Sequence, residues 1–190
     1  MNITKDKIKV LYDEETIKRR VKEMGKEITE KYKGNGNVLH MVCVLKGSVH
    51  FYSDLLMSID MDISYSFIQV ASYSGTESTG RISVKSWIDE PIQGKDVIVV
   101  EDILDTGRTL KYILNYLKRY NPRTLEVATF IDKYEKDHFG IVPKFTGFEA
   151  EDKFLLGYGL DFDQSFRNLP YVGFVPVEEV EGESENYIME

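Results

Sequence analysis

The sequence holds a single cysteine in 190 residues. One thiol excludes an internal disulfide and any multi-cysteine zinc site, and it suits a reducing compartment, so a cytoplasmic location is expected. A surplus of basic charge is also missing: 24 lysines and arginines face 32 aspartates and glutamates, for a formal net charge of −8. General nucleic-acid binding rests on a basic surface. Only Lys18-Arg19-Arg20 and Lys118-Arg119 approach such a cluster here, so no nucleic-acid partner is expected. No apolar run reaches the roughly 20 residues a membrane helix needs. The first ten residues, MNITKDKIKV, contain no apolar signal core, so neither secretion nor membrane association is expected. Walker A, GxGxxG and GxSxG patterns are absent too, which leaves the chemistries they mark without support. His40, His50 and His138 show no metal-ligand spacing, and Cys43, inside an apolar run, reads as a buried small hydrophobe.

What is present fits one ordinary globular domain. Hydrophobic residues make up 42% of the chain and charged ones 29%, enough to bury a core without disorder. No repeat, low-complexity linker or internal boundary breaks it. A single domain is expected over residues 1–176. Residues 177–190 form an acidic tail whose six glutamates and absence of bases account for most of the charge imbalance.

Residues 14–32 place Ile17, Val21, Met24, Ile28 and Tyr32 on one helical stripe, with Glu14 and Glu15 in the first turn. After Gly34-Asn35-Gly36, residues 38–45 (VLHMVCVL) read as a strand buried on both faces, as in a parallel sheet. Lys46-Gly47-Ser48 ends it, and 49–58 reads as the next helix. Residues 63–70 and 81–88 alternate like two hairpin strands around a small, polar loop at 71–80. Asp96–Val100 is a second buried strand, and 125–131 (LEVATFI) a third. Leu110, Ile113, Leu114 and Leu117 mark a helix that Asn121-Pro122 stops. Shorter strands are expected near 145–149, 154–158 and 171–175. Strands alternating with helices predict an α/β fold around a mostly parallel central sheet flanked by helices. Ligands of such sheets gather at the carboxyl ends of strands, which singles out 46–48, 101–109 and 133.

Residues 97–109, VIVVEDILDTGRT, combine a buried strand, the adjacent acids Glu101 and Asp102, a third acid at Asp105, and Thr106-Gly107-Arg108-Thr109 at a helix start. Helix-start amides bind anions, Gly107 would let a phosphate come close to the main chain, and Thr106 and Thr109 add hydroxyls. Three acids beside a phosphate make sense if the ligand also carries hydroxyls or brings Mg²⁺. The bland alternative has Asp105 or Thr106 capping a helix, with Glu101 and Asp102 in solvent.

This thirteen-residue pattern resembles the ribose-phosphate signature of the type I phosphoribosyltransferases. Leu45-Lys46-Gly47, Ser72-Tyr73, Lys133, Lys153-Phe154-Leu155-Leu156-Gly157-Tyr158, Leu160-Asp161 and Phe166-Arg167 recur with it in order. Together they are similar to the hypoxanthine (hypoxanthine-guanine) branch, from roughly residue 10 to 176. The resemblance implies the type I fold with a small hood region. It also implies an enzyme of purine salvage that moves the 5-phosphoribosyl group of phosphoribosyl pyrophosphate onto a 6-oxopurine, giving IMP or GMP and pyrophosphate. By that resemblance, Asp105, Thr106, Gly107, Arg108 and Thr109 would hold the 5′-phosphate, with Asp105 also the general base or partner for N7. Glu101 and Asp102 would bind the ribose hydroxyls, directly or through Mg²⁺. Lys46, Gly47 and Arg167 would meet pyrophosphate, with Asp161 helping to hold a second Mg²⁺. Lys133 would donate to O6, Phe154 would stack on the base, and the Leu155 main chain would read the ring edge. Ser72 and Tyr73 would belong to a covering loop, and the Leu45–Lys46 peptide can be cis in relatives.

Taken singly, Lys46 reads as a turn residue, Phe154 as core, and Arg167 with Asp161 as a surface pair. The ordered set changes that. The resemblance further implies a homo-oligomer, a dimer or tetramer. A second function class is a regulator of the same fold that binds nucleotides or RNA without turnover. That class calls for a basic face, which the chain does not supply.

Overall fold

The computed structural model describes residues 4–36, 38–72, 82–86, 88, 90–134 and 138–176. The polar loop from 73 onward and the acidic tail at 177–190 lie outside the described residues. After a short 3-10 turn comes a strand the sequence pattern does not announce, β1 (Lys9–Tyr12). Helix α1 (Glu14–Tyr32) buries the predicted stripe. The Asp13 side chain caps it by accepting the Thr16 amide at 2.8 Å. Then follow β2 (Leu39–Leu45), α2 (Val49–Ser58), β3 (Ile63–Ser72), β4 (Ile82–Ser86), β5 (Asp96–Leu104), α3 (Arg108–Lys118), β6 (Thr124–Asp132), β7 (Phe145–Glu149), β8 (Leu155–Leu156) and β9 (Val172–Phe174).

Among the described residues the main sheet runs β4-β3-β2-β5-β6-β7. All its pairings are parallel except the antiparallel edge pair β3/β4. Strand β2 shows why the apolar runs are continuous. Met41 and Cys43 face a core with Ile17, Met24, Ile28, Phe51 and Leu55 of α1 and α2. Val42 and Val44 face the opposite core, with Leu110, Ile113 and Leu117 of α3. Both faces are covered, so every side chain of the strand interior is apolar apart from His40. That buried ring is satisfied locally, between Ser64 Oγ at 2.7 Å and Ser66 Oγ at 2.9 Å on β3.

A second, antiparallel sheet, ordered β1-β9-β8, forms the small hood. Its two later strands are the short ones expected near 154–158 and 171–175. The hood meets the main body through Tyr12, whose ring stacks on Phe148 at 4.1 Å and whose hydroxyl donates to the Glu149 carbonyl at 2.8 Å. No helix among the described residues is long and apolar enough to cross a membrane. Strand order reverses at the β2/β5 boundary. The carboxyl ends of β2, β5 and β6 therefore open onto one crevice, the place where sheets of this type bind ligands.

Candidate active site

Three loops leave that crevice edge: 46–48 after β2, 105–107 after β5, and 133 after β6. Strand β5 extends four residues beyond the apolar run, so Glu101 and Asp102 are still in the ladder and not in solvent. That overturns the bland reading of both acids. Burial, and then the neighbouring Asp102, pushes the Glu101 carboxyl well above its ordinary range, and Glu101 Oε2 is a buried oxygen without a hydrogen-bond partner. Burial also raises Asp102, to about 6, although the Ile103 amide donates to it at 2.9 Å and Arg167 works in the opposite direction.

Two adjacent half-buried carboxylates, one with a buried oxygen that no donor meets, fit a divalent cation. Among the described residues no group of three or more acid, histidine or cysteine side chains could hold a metal alone. Mg²⁺ does not require one, because it commonly takes one or two carboxylates and fills its octahedron with water and substrate oxygens. The pair Glu101 and Asp102 therefore fits that ion on chemistry.

The turn into α3 disposes of the second part of the bland reading. The N-cap is Gly107, so neither Asp105 nor Thr106 is the cap. Gly107 is buried at φ +74, and a Cβ on it would come within 2.9 Å of the His138 carbonyl. Glycine is required there by left-handed backbone and by that carbonyl. Thr106 and Arg108 are exposed and Thr109 is half-buried, around a helix start that favours anions.

Lys133 follows β6, its amide donating to the Leu104 carbonyl at 3.0 Å, which ties it to the end of β5. Its ammonium, only 10% exposed, lies 2.9 Å from Asp152 Oδ1 and 4.0 Å from Asp105 Oδ1. A buried cation needs such partners. The candidate base and the candidate O6 donor thus come together from different strands. Phe154 is 57% exposed, its ring 5.5 Å from that of Phe162 at 81°, so it is not a core residue. Leu155 begins β8, its main chain registered with Phe174.

At the other end of the crevice the Leu45–Lys46 peptide is cis and Lys46 is exposed, its ammonium 3.5 Å from Gln164 Oε1. Gly47 packs so tightly on Asp102 that a Cβ would overlap the carboxylate. Arg167 pairs with Asp161 at 2.6 Å and donates to the Gly159 carbonyl at 2.7 Å, both side chains about three-quarters covered. A surface pair they are not. Ser72 ends β3, but its side chain, like all of Tyr73, lies outside the described residues.

Sequence reasoning missed Asp152 beside Lys133. It also missed His138, whose Nδ1 stands 3.5 Å from Asp132 and whose Nε2 is 3.0 Å from the Lys133 carbonyl. No local period marks such residues. The one available signal for Asp152 was its place directly before the Lys153–Tyr158 motif.

A family model described as the phosphoribosyl transferase domain matches residues 7–163. A hypoxanthine-guanine phosphoribosyltransferase of Staphylococcus epidermidis is 44% identical over 177 residues, covering 92% of this chain and 97% of the relative. Among solved structures, a hypoxanthine phosphoribosyltransferase of Staphylococcus aureus superposes with a TM-score of 0.84 at 39% identity, covering 94% of this chain and 99% of that one. A Trypanosoma cruzi hypoxanthine phosphoribosyltransferase, in complex with the product IMP, gives 0.83 at 33% identity over 89% of this chain and 94% of that one.

Proposed function

The chain belongs to the phosphoribosyl transferase domain family, and on that ground we propose that it transfers the 5-phosphoribosyl group of phosphoribosyl pyrophosphate to a ring nitrogen of a 6-oxopurine, releasing pyrophosphate. The observation that carries the reading is the meeting of Asp105 and Lys133, 4.0 Å apart at the ends of adjacent strands beside an anion-binding helix start. A carboxylate and an ammonium so placed suit the two polar edges of one purine, an N–H to be deprotonated and a carbonyl oxygen to be held. Adenine presents an amino donor where Lys133 also donates, and is disfavoured. A nucleotide-binding regulator has no need of that juxtaposition.

In this reading the 5′-phosphate sits on the turn Asp105–Thr109 and the first amides of α3, with the hydroxyls of Thr106 and Thr109 as further donors. Glu101 and Asp102 face the ribose hydroxyls. Phe154 offers an exposed ring for stacking, and the Leu155 main chain lies at the purine edge. Lys46, the Gly47 main chain and Arg167 take the leaving pyrophosphate. Mg²⁺, when bound by Glu101 and Asp102 together with substrate oxygens, and by Asp161 at the pyrophosphate, supplies charge neutralisation on the leaving group.

The bond from C1′ to the pyrophosphate oxygen breaks as the bond from C1′ to the purine nitrogen forms. Positive charge grows on the ribose while negative charge grows on pyrophosphate. Carboxylates at 101 and 102 tolerate the first, and the Arg167 guanidinium and Lys46 ammonium hold the second. Asp105 accepts the proton released by the purine ring.

The test is a spectrophotometric assay with phosphoribosyl pyrophosphate, Mg²⁺ and each of hypoxanthine, guanine, xanthine and adenine. Nucleotide should form with at least one 6-oxopurine and not with adenine. Absence of product with all three 6-oxopurines overturns the reading.

A further inference from the structure

Lys46, Gly47 and Arg167 come from loops far apart in the sequence, and a pyrophosphate site needs them held in one arrangement. Gly159 joins two of them. Its amide donates to the Arg167 carbonyl at 2.9 Å and its own carbonyl accepts Arg167 Nη1 at 2.7 Å. On its other side the backbone presses on Gly47, where a Cβ at 159 would overlap the Gly47 carbonyl.

Tyr158, one residue earlier, sits at φ +49 between Gly157 at +94 and Gly159 at +102. A bulky L-residue in left-handed backbone is costly and persists only where its surroundings hold it. Two anchors do so. The buried ring lies 4.9 Å from that of Phe130 in the core, and the hydroxyl donates to Asp54 Oδ2 at 2.6 Å. Burial first, then the Asp54 hydrogen bond, pushes the phenol pKa up, so Tyr158 remains the donor.

Asp54 lies on α2, the helix that continues directly from the loop at 46–48. The loop is tied to that helix by the Val49 amide donating to the Lys46 carbonyl at 3.3 Å and the Tyr52 amide to the Ser48 carbonyl at 2.7 Å. The contacts close a ring, from the loop at 46–48 through α2, Asp54, Tyr158 and Gly159 back to the Gly47 carbonyl.

We propose that Tyr158 and Asp54 are positioning residues for the pyrophosphate end of the site. They fix Gly159, and through it the Gly47 carbonyl and the Arg167 guanidinium. The proposal deepens the phosphoribosyl-transfer reading and rests on it. It separates the pyrophosphate end from the purine end, because the contacts of Lys133 run through Asp105, Asp152 and the end of β5 instead.

The test compares wild type, Tyr158→Phe, Asp54→Ala and Asp54→Asn by titration calorimetry of phosphoribosyl pyrophosphate with Mg²⁺, steady-state kinetics and thermal denaturation. Phe keeps the ring against Phe130. Position 54 is exposed on a helix, so Ala there folds and carries the test alone if Tyr158→Phe does not. Tyr158→Phe and Asp54→Ala should weaken phosphoribosyl pyrophosphate binding and raise its KM by about tenfold, in keeping with the cost of small misplacements in a site. The purine KM should stay within about twofold in both. Asp54→Asn keeps an acceptor oxygen and should restore binding to near the wild-type value. Folded variants with unchanged phosphoribosyl pyrophosphate affinity overturn the proposal, as does an equal rise in both KM values. A wild type that binds no phosphoribosyl pyrophosphate overturns the functional reading itself, whereas a binding wild type matched by Asp54→Ala overturns the positioning role alone.

Discussion

Lys133 Nζ stands 4.0 Å from Asp105 Oδ1, an ammonium from the end of β6 beside a carboxylate from the turn after β5. Asp152, at 2.9 Å, completes the pairing of a cation that has little access to water. Under the proposed reading, a purine carbonyl entering this space would meet a donor already oriented and already desolvated. The low local dielectric strengthens the bond it can make.

Asp105→Asn tests the proton acceptor. The amide keeps the shape of the turn and the neighbourhood of Lys133 but cannot take the purine proton. Turnover should fall by about 10²-fold or more, the usual scale of general-base assistance. Titration of phosphoribosyl pyrophosphate should still show binding, since the helix start and the loop at 46–48 are untouched. Unchanged turnover would place the base elsewhere.

Lys133→Ala tests the base pocket. Removing a charged donor to the carbonyl oxygen should raise the purine KM by roughly 10- to 100-fold, matching about 1.5–3 kcal/mol for a hydrogen bond to a charged group. The KM for phosphoribosyl pyrophosphate should change much less. Equal loss on both substrates would move Lys133 out of the purine site. Asp152→Asn should give a smaller rise in purine KM, because it leaves a neutral acceptor beside the ammonium.

Gly47→Ala tests the contact between the loop and the acid pair. A methyl group there overlaps the Asp102 carboxylate, so one of the two must move. Only the loop backbone and a side chain are affected, hence the melting temperature should fall by a few degrees at most for a change of about 1 kcal/mol. The KM for phosphoribosyl pyrophosphate should rise by about tenfold or more. A variant with wild-type kinetics would show that the loop can shift without consequence.

Most of the architecture was legible because both faces of the sheet are covered. Covered strands such as β2 and β5 must be continuously apolar, and a helix lying on them, such as α3, must carry an apolar stripe; both leave local patterns. Strand β1 left none. Its four residues become a strand by pairing with β9, Lys9 opposite Phe174; β9 falls on the short strand expected near 171–175, but no local pattern marks its partner. The acids and basic residues of the crevice were legible through an ordered set of short motifs. Their supports were not. Tyr158 and Asp54 meet across 104 residues, and Lys133 and Asp152 across 19, contacts that only the completed fold creates. The His138 carbonyl packed against Gly107 comes from a distant segment and leaves no local pattern either.

Cys43 gives a prediction with a definite pH window. Its thiol is in the middle of β2, fully buried, with Sγ 3.2 Å from Ser48 Oγ. Burial pushes its pKa up to about 11, against about 8.5 for a free cysteine. At pH 8 the folded chain therefore holds roughly one thiolate per thousand molecules, and iodoacetamide should leave the native protein unmodified while labelling it fully in denaturant. The raised folded-state value also sets a sign. The contribution to stability is complete below about pH 8.5 and is lost as pH rises toward 11, because the unfolded thiol ionises first. Chemical denaturation of wild type and Cys43→Ala at pH 8, 9.5 and 11 reads this directly. Tyrosines titrate in the same region in both proteins, so the difference between the two isolates the thiol. The gap between them should change in favour of the alanine variant across that window. A gap independent of pH, or rapid alkylation of the folded chain at pH 8, would mean that the thiol reaches solvent.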